Sequence, residues 1–347
     1  MRIKWQGDIE KRRIELLLEG NTYKEIAITL GEEFNLPVTE KSVSCRCDRT
    51  KINQKNIINI IKENREQDIY QSHENLFSDD LYDINEDIFM SPEKLRKINE
   101  IYEDLKELKP KKILSLSDLH APGIDFKAVE KAIQDNLDAD ICVLNGDVLD
   151  LQAFSKFDKL KDIDLEEELN QVFALLDVLT KKYKKVVWVG GNHDLQRFLR
   201  YVSRNFVPSI KKFVLDRLNP IEYIAEKYDN VIVVPHDWVQ INDVLFAHFE
   251  YFSSVDMKTV VNNKAMFDSM VHLLPEPNYK GIVIGHTHKV GKIVRNGVTL
   301  IEQGCLCHMQ DYRFMKPTPV QWQQAYAIVE FDDNQKMISN KSNFIIV

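Results

Sequence analysis

One device recurs five times after residue 111. A short apolar run, the length of a buried strand, ends in a cluster of Asp, Asn and His. Ile113-Leu114-Ser115-Leu116 leads into Ser117-Asp118-Leu119-His120, and Ile141-Cys142-Val143-Leu144 into Asn145-Gly146-Asp147-Val148-Leu149-Asp150. Val186-Val187-Trp188-Val189 leads into Gly190-Gly191-Asn192-His193-Asp194, Val244-Leu245-Phe246-Ala247 into His248, and Ile282-Val283-Ile284 into Gly285-His286-Thr287-His288. Helical spacing fills 126–136 and 165–183 between the first three runs. Strands alternating with helices predict a layered α/β core with its polar residues gathered at the strand ends. Residues 292–301 read as a hairpin around Asn296-Gly297. Residues 325–331 and 336–338 read as another around Asp332-Asp333-Asn334, and both hairpins are expected in a second sheet. The apolar positions of 255–275 predict a core helix.

The first 62 residues have another rhythm. Ile9, Ile14 and Leu16–18 predict a helix closed by Gly20. Thr22 is the expected cap of a second helix, with Glu25 completing a capping box. Thr39 is the expected cap of a third, basic helix. Further on, Ser91, Pro92 and the apolar spacing from Leu95 to Leu105 predict a helix stopped by Pro110. It packs on the following domain or acts as a lever between domains.

Charge separates these regions. The chain of 347 residues has a net charge of −8, but residues 1–62 hold twelve Lys/Arg against nine Asp/Glu. Residues 63–93 hold ten acids against Arg65 alone and show no sustained period, which predicts a solvated linker. The expected organisation is an N-terminal module at 1–62, an acidic linker at 63–93 and a main domain at 94–347. A composition of 44 % hydrophobic and 29 % charged residues excludes a disordered chain or a fibre. Five cysteines, an odd and sparse count with Cys45/Cys47 and Cys305/Cys307 as C-x-C pairs, fit reduced thiols rather than a disulfide scaffold. No run reaches membrane-helix length, and with no apolar stretch behind Met1-Arg2 a cytoplasmic location is expected.

The clustered residue types point to metal chemistry. Asp118, His120, Asp147, Asn192, His248, His286 and His288 are oxygen and imidazole donors with no thiolate among them. Such a set suits Mn²⁺, Fe²⁺ or Zn²⁺ in an open site more than a closed structural zinc. Seven ligands are too many for one ion and fit two ions sharing a carboxylate. His236 also follows an apolar run and competes with His248.

In this order the motifs D-x-H, G-D-x-x-D, G-N-H-D, a lone His and G-H-x-H resemble the calcineurin-like metallophosphoesterases, over about residues 112–305. The resemblance implies a two-sheet β-sandwich flanked by helices and two divalent ions, Mn²⁺ first, with Fe²⁺, Zn²⁺ or Ni²⁺ as alternatives. It places Asp118, His120 and His288 on one ion, Asn192, His248 and His286 on the other, and Asp147 between them. It implies attack on phosphorus by a hydroxide bridging the ions, with His193 over the phosphate and Asp150 orienting it. Two departures stand out. The lone His is followed by Phe249-Glu250 rather than Gly. Leu151 and Gly190 stand where the phosphoprotein-phosphatase branch carries Arg, which disfavours a phosphoserine substrate. Arg197, Arg200 and Arg204 share one helix face and offer a track for a phosphate backbone.

The stretch Gly20-Asn-Thr-Tyr-Lys-Glu-Ile-Ala resembles the core of DNA-binding helix-turn-helix domains, which implies that Ser42, Ser44, Arg46 and Arg49 of the third helix face a major groove. Together the modules resemble phage-encoded metallophosphoesterases. The expectation is a metal-dependent phosphodiesterase acting on nucleic acid, DNA over RNA, with no membrane partner and with homodimerisation left open. The alternatives are a small-molecule nucleotide phosphohydrolase and a non-catalytic nucleic-acid-binding regulator.

Overall fold

The computed structural model describes residues 9, 12–13, 16, 21–50, 92–154, 164–207, 210–211, 214–215, 218–234, 236–308 and 322–347, without the side chains of 45–46, 48–50 and 92–94. It divides into two compact units, Met1–Ile88 and Phe89–Val347. The acidic linker expected at 63–93 lies outside the described residues as far as Ser91, as do Ile14, Leu17 and Leu18 of the expected first helix.

The first unit contains helices α1 (Tyr23–Glu33) and α2 (Glu40–Thr50). Thr22 caps α1, and Glu25 returns the bond to the Thr22 backbone. Thr39 accepts from the Ser42 amide at 3.2 Å and so caps α2. Residues 9, 12, 13 and 16 are helical. Ile9, Leu16, Ile26, Leu30 and Val43 form the core. Arg13 is buried there and donates to Cys47 Sγ at 3.1 Å.

In the second unit, helix α3 (Pro92–Glu107) precedes β1 (Lys112–Leu116), α4 (Phe126–Gln134), β2 (Ile141–Asn145), α5 (Leu165–Lys182) and β3 (Lys185–Val189). Next come α6 (Arg197–Asn205), α7 (Pro220–Ala225), β4 (Val231–Val233), β5 (Trp238–Ile241) and β6 (Val244–Ala247). Helix α8 (Lys258–Ser269), β7 (Gly281–Ile284), β8 (Val290–Arg295), β9 (Val298–Gln303), β10 (Ala325–Glu330) and β11 (Asn343–Ile346) complete it. One sheet runs β11-β10-β1-β2-β3-β4, the other β5-β6-β7-β9-β8.

Side-chain alternation along each strand builds the layers. Ile113, Ile141, Val143, Val187 and Val189 point inward and meet Val244, Phe246, Val283 and Ile301 of the second sheet. Their neighbours Leu114, Leu116, Cys142, Leu144, Val186 and Trp188 point outward onto α4, α5, α6 and α7. On the opposite outer face Leu245, Ile282, Ile284 and Leu300 receive Ile98 of α3 and Val260 and Phe267 of α8. Each fully buried Leu, Ile or Val contributes roughly 1.5–3 kcal/mol. Strands β1 to β3 are covered on both faces, which explains their unbroken apolar runs. Helix α3 packs on this unit through Ile98, Ile101 and Leu105, and α8 is a core helix.

The C-terminal strands correct one expectation. The hairpin at Asn296-Gly297 forms β8 and β9 of the second sheet, with φ of 52° and 75° at its two turn residues. The last strands join the first sheet instead: β10 pairs with β1 and β11 with β10, both antiparallel. Residues 336–338 supply only a single bridge, Phe331 to Met337. Ala325, Ala327 and Val329 are buried and need a covered strand as neighbour. Among the described residues no helix is long and apolar enough to cross a membrane.

Candidate active site

Five polar residues after strand ends hold left-handed backbone: Asp118 (φ 53°), His120 (47°), Asp147 (50°), His286 (74°) and His288 (56°). Asp and His tolerate this region better than most residues, yet each instance costs of order 1–3 kcal/mol and persists only where neighbours dictate it. Here the loops after β1 and β2 bond each other. The Asp118 amide donates to Gly146 O at 3.1 Å and the His120 amide to Asp147 O at 2.9 Å. Asp194 fastens the loop after β3: its Oδ2 accepts from Val148 N at 2.9 Å and Trp188 Nε1 at 3.1 Å, its Oδ1 from Gly191 N at 2.5 Å. A Cβ on Gly191 would overlap Asp147 Oδ1, and one on Gly146 would overlap the His248 ring. These turns approach so closely that only glycine fits.

All seven expected metal ligands lie at these strand ends. Ligand atoms of Asp118, His120 and His288 fall within 4.8 Å of one another, as do those of Asp147, His248 and His286. His288 Nε2 stands 3.0 Å from Asp118 Oδ1 and 3.1 Å from His120 Nε2. His248 Nε2 stands 3.1 Å from Asp147 Oδ2 and 3.8 Å from Asp118 Oδ1. Its other nitrogen, Nδ1, donates to Asn145 O at 2.7 Å, which aims Nε2 at the carboxylates. Asn192 Oδ1 is buried without a hydrogen-bond partner, an expense that a cation would remove. Converging imidazole tips, buried carboxylates and this oxygen fit a divalent metal centre.

Electrostatics give the same picture. Burial opposes a charged His248, but the Asp147 and Asp118 carboxylates push its pKa up to about 10. Burial would raise Asp118, yet His288 and His248 hold it down at about 2. The clustered carboxylates therefore favour positive charge at their centre.

His193 lies on a π-helical turn, Asn192–Gln196, that follows β3. Its Nδ1 stands 2.5 Å from Asp150 Oδ1, and its amide donates to Asp147 Oδ1 at 2.8 Å. Burial opposes ionisation of Asp150, but bonds from His120 and His193 keep its carboxyl well below the usual carboxylate range. Arg197, at the start of α6, donates to the Asp150 backbone oxygen, and its Nη2 lies 3.2 Å from His193 Nε2.

The other expected contacts separate. Arg200 is engaged by Glu250 Oε1 at 2.8 Å and by Gln196, and Arg204 is exposed. Only Arg197 of the three touches the His193–Asp150 pair. His236 is buried and stacks on Trp238, with ring centroids 6.2 Å apart, outside both ligand clusters. Ser42 Oγ donates to Thr39 O at 2.6 Å within its own cap, and Ser44 is half-buried. Arg46 and Arg49 lie on α2, their side chains outside the described residues.

Several site residues escape the sequence reading. Glu168 of α5 is buried and accepts from Leu151 N at 2.7 Å, holding the turn after Asp150. Its pKa is pushed up to about 7, first by burial. Trp322 sits 4.3 Å from His288 and Phe252 6.2 Å from His286, centroid to centroid. Cys305 and Cys307 lie behind His288. The C-x-C spacing marks that pair in the sequence, but nothing there assigns it to this site.

Among curated proteins none matches this chain in sequence. Solved structures with similarity include an uncharacterized protein, a predicted phosphoesterase, from Streptococcus pneumoniae TIGR4. It has 13% identity and a TM-score of 0.30, covering 69% of this chain and 98% of its own. A protein described as a novel archaeal phosphodiesterase has 16% identity and a TM-score of 0.34, covering 68% and 99%. A hypothetical protein from Pyrococcus horikoshii OT3 has 12% identity and a TM-score of 0.40, covering 68% and 87%. The family model for calcineurin-like phosphoesterases matches residues 111–290, just over half of the chain and every strand-end motif described above. By that match and by its two flanked sheets, the chain belongs to the calcineurin-like phosphoesterase family.

Proposed function

We propose that the protein is a two-metal phosphodiesterase acting on nucleic acid, DNA ahead of RNA, with Mn²⁺ as its working ion. The observation that carries the chemistry is the pair of donor clusters, Asp118/His120/His288 and Asp147/His248/His286, next to the His193–Asp150 pair. Asp118, His120 and His288 are assigned to one ion, Asn192, His248 and His286 to the other, and Asp147 to both. The bound ions supply Lewis-acid polarisation of phosphoryl oxygens and a water acidic enough to deprotonate near neutral pH.

The chain's own residues orient the substrate and move the proton. Asp150 accepts from His193 Nδ1 and so fixes the ring with Nε2 toward Arg197 and the metal ligands. An incoming phosphodiester draws the Arg197 N–H groups onto its non-bridging oxygens, a fit suited to a planar guanidinium. Nε2, released from Arg197, is free to take up a proton from solvent and pass it to the leaving alkoxide while Asp150 holds the ring. A non-catalytic binder has no use for an oriented imidazole beside the metal ligands, so the pair favours an enzyme over a regulator.

Support for nucleic acid comes from Arg197 at the site and from the helix-turn-helix resemblance of the N-terminal sequence, with which two capped helices are compatible although residues 34–39 join them by more than the tight turn of the simplest versions. The test is hydrolysis by the full chain with Mn²⁺ of single- and double-stranded DNA, RNA, cyclic nucleotides, a phosphomonoester and a bis-aryl phosphodiester. Cleavage of DNA and of the bis-aryl diester is expected. Turnover of mononucleotides alone would replace nucleic acid with a small-molecule substrate, and no turnover of any phosphoester would overturn the enzyme.

A further inference from the structure

After β9 the chain runs extended past the mouth of β1. The Leu306 amide donates to Ser117 O and Asp118 O, both at 3.2 Å. Cys305 forms a bridge with Gln324, and Cys307 another with Ile124. Leu306 O accepts from the Asp125 amide at 2.9 Å, and Cys307 O from Gln324 Nε2 at 3.1 Å. The backbone of this segment is therefore pinned on both sides.

Residues two apart on extended backbone point the same way. Leu306 enters the core on the outer face of the first sheet with Leu116 and Leu119. Cys305 and Cys307 take the opposite side, where His288 lies. Both sulfurs and a ring nitrogen of His288 fall within 4.8 Å of one another, and all three residues are buried. Around one zinc ion, with bonds of about 2.3 Å to sulfur and 2.0 Å to nitrogen, tetrahedral ligand atoms stand roughly 3.5–3.8 Å apart. The 4.8 Å bound on the three atoms lies within about 1 Å of that spacing. Two sulfurs and an imidazole form a soft donor set, unlike the oxygen and nitrogen donors of the two clusters above.

We propose that Cys305, Cys307 and His288 form a third metal site, selective for a thiophilic cation such as Zn²⁺, adjoining the two-metal centre and sharing His288 with it. Binding forms two metal–sulfur bonds and one metal–nitrogen bond; the two thiol protons go to solvent, and because one imidazole serves two metals only as an imidazolate, the remaining His288 N–H proton leaves with them. The site ties the orientation of His288 to the supply of a soft metal, and it does not depend on the substrate being nucleic acid.

The test is a Cd²⁺ titration of the full chain held in excess Mn²⁺, read by ultraviolet sulfur-to-cadmium charge-transfer absorption. A band saturating at one equivalent is expected in the wild type and in C142S and C45S/C47S, and its loss in C305S/C307S. Absence of the band from the wild type, or its survival in C305S/C307S, overturns the site. Circular dichroism checks the fold of the double variant. If it does not fold, C307S decides: a weakened band supports the site, and an unchanged one overturns it. Mn²⁺ binding measured on the same variants separates loss of this site from failure of the two-metal reading.

Discussion

At the scale of single residues, the proposed site combines groups assigned to metal with groups assigned to a proton, and substitutions separate them. His193 touches Asp150 and Arg197 and lies outside the assigned ligand set. His193→Ala is expected to lower kcat on a bis-aryl phosphodiester by about 10²–10⁴-fold, the usual worth of a positioned acid. Calorimetric Mn²⁺ affinity should stay near wild type. A variant that loses metal instead would make His193 a ligand. Glu168 makes a different prediction. Burial raises its pKa from 4.5 to about 7. Between those pH values the folded chain holds a proton on Glu168 that the unfolded chain has released, so stability from this group falls as pH rises and levels off above about 7. Glu168→Gln keeps an acceptor for Leu151 N and removes the ionisation. The variant should therefore gain on the wild type between pH 5 and pH 8, by up to roughly 3 kcal/mol at 1.4 kcal/mol per pKa unit. Denaturant melts at both pH values measure it, and a constant difference would show that Glu168 ionises normally.

At the scale of elements, the turns after strands decide whether the ligands meet. Gly191 and Gly297 make the comparison. A Cβ at Gly191 would overlap Asp147 Oδ1 and its amide, whereas one at Gly297 meets nothing within 4 Å but must accept a φ of 75°. Gly297→Ala should cost about 1 kcal/mol of backbone strain and leave activity intact. Gly191→Ala must displace Asp147 or the π-helical turn, so it should abolish Mn²⁺ binding along with activity. Equal metal affinity in the two variants would contradict this geometry. The same turns explain what the sequence reveals. Each motif is a few consecutive residues after an apolar run, so Asp118, His120, Asp147 and His286 are visible as local patterns. Glu168 follows Glu166 and Glu167 in the first turn of α5 and reads like another solvated acid; only the loop after Asp150, folded back on α5, gives it a partner. Cys305 reaches His288 because the β8–β9 hairpin returns the chain, with Val290 opposite Gln303 and the Gly304 amide on Lys289 O at 2.8 Å. Strand β11 is four residues with exposed ends. Its place beside β10 follows from pairing that leaves no mark in its own composition.

At the scale of the whole molecule, charge poses the question of how an acidic chain would engage a polyanion. A net charge of −8 repels DNA at long range. Attraction must then come from local groups: Arg197 beside His193 and Asp150, and in the N-terminal unit Arg46 and Arg49 on α2, a helix otherwise rich in polar residues. Each phosphate contact contributes about 0.9 to the slope of log K against log salt. If both arginines of α2 contact the DNA backbone, Arg46→Ala/Arg49→Ala should reduce that slope by about 2 and weaken binding similarly across sequences. The candidate metal ligands and the His193–Asp150 pair all lie in the second unit. Hydrolysis of a small bis-aryl diester by the same variant should therefore match the wild type, while DNA cleavage falls at limiting enzyme and recovers at low salt. A wild-type salt slope in the variant would remove α2 from the DNA contact and leave the N-terminal unit to bind something other than nucleic acid. Parallel loss of both activities would instead show that α2 supports the catalytic unit. Binding and chemistry answer separately because the first is a screened, long-range sum of charges, and the second depends on side chains a few ångströms apart.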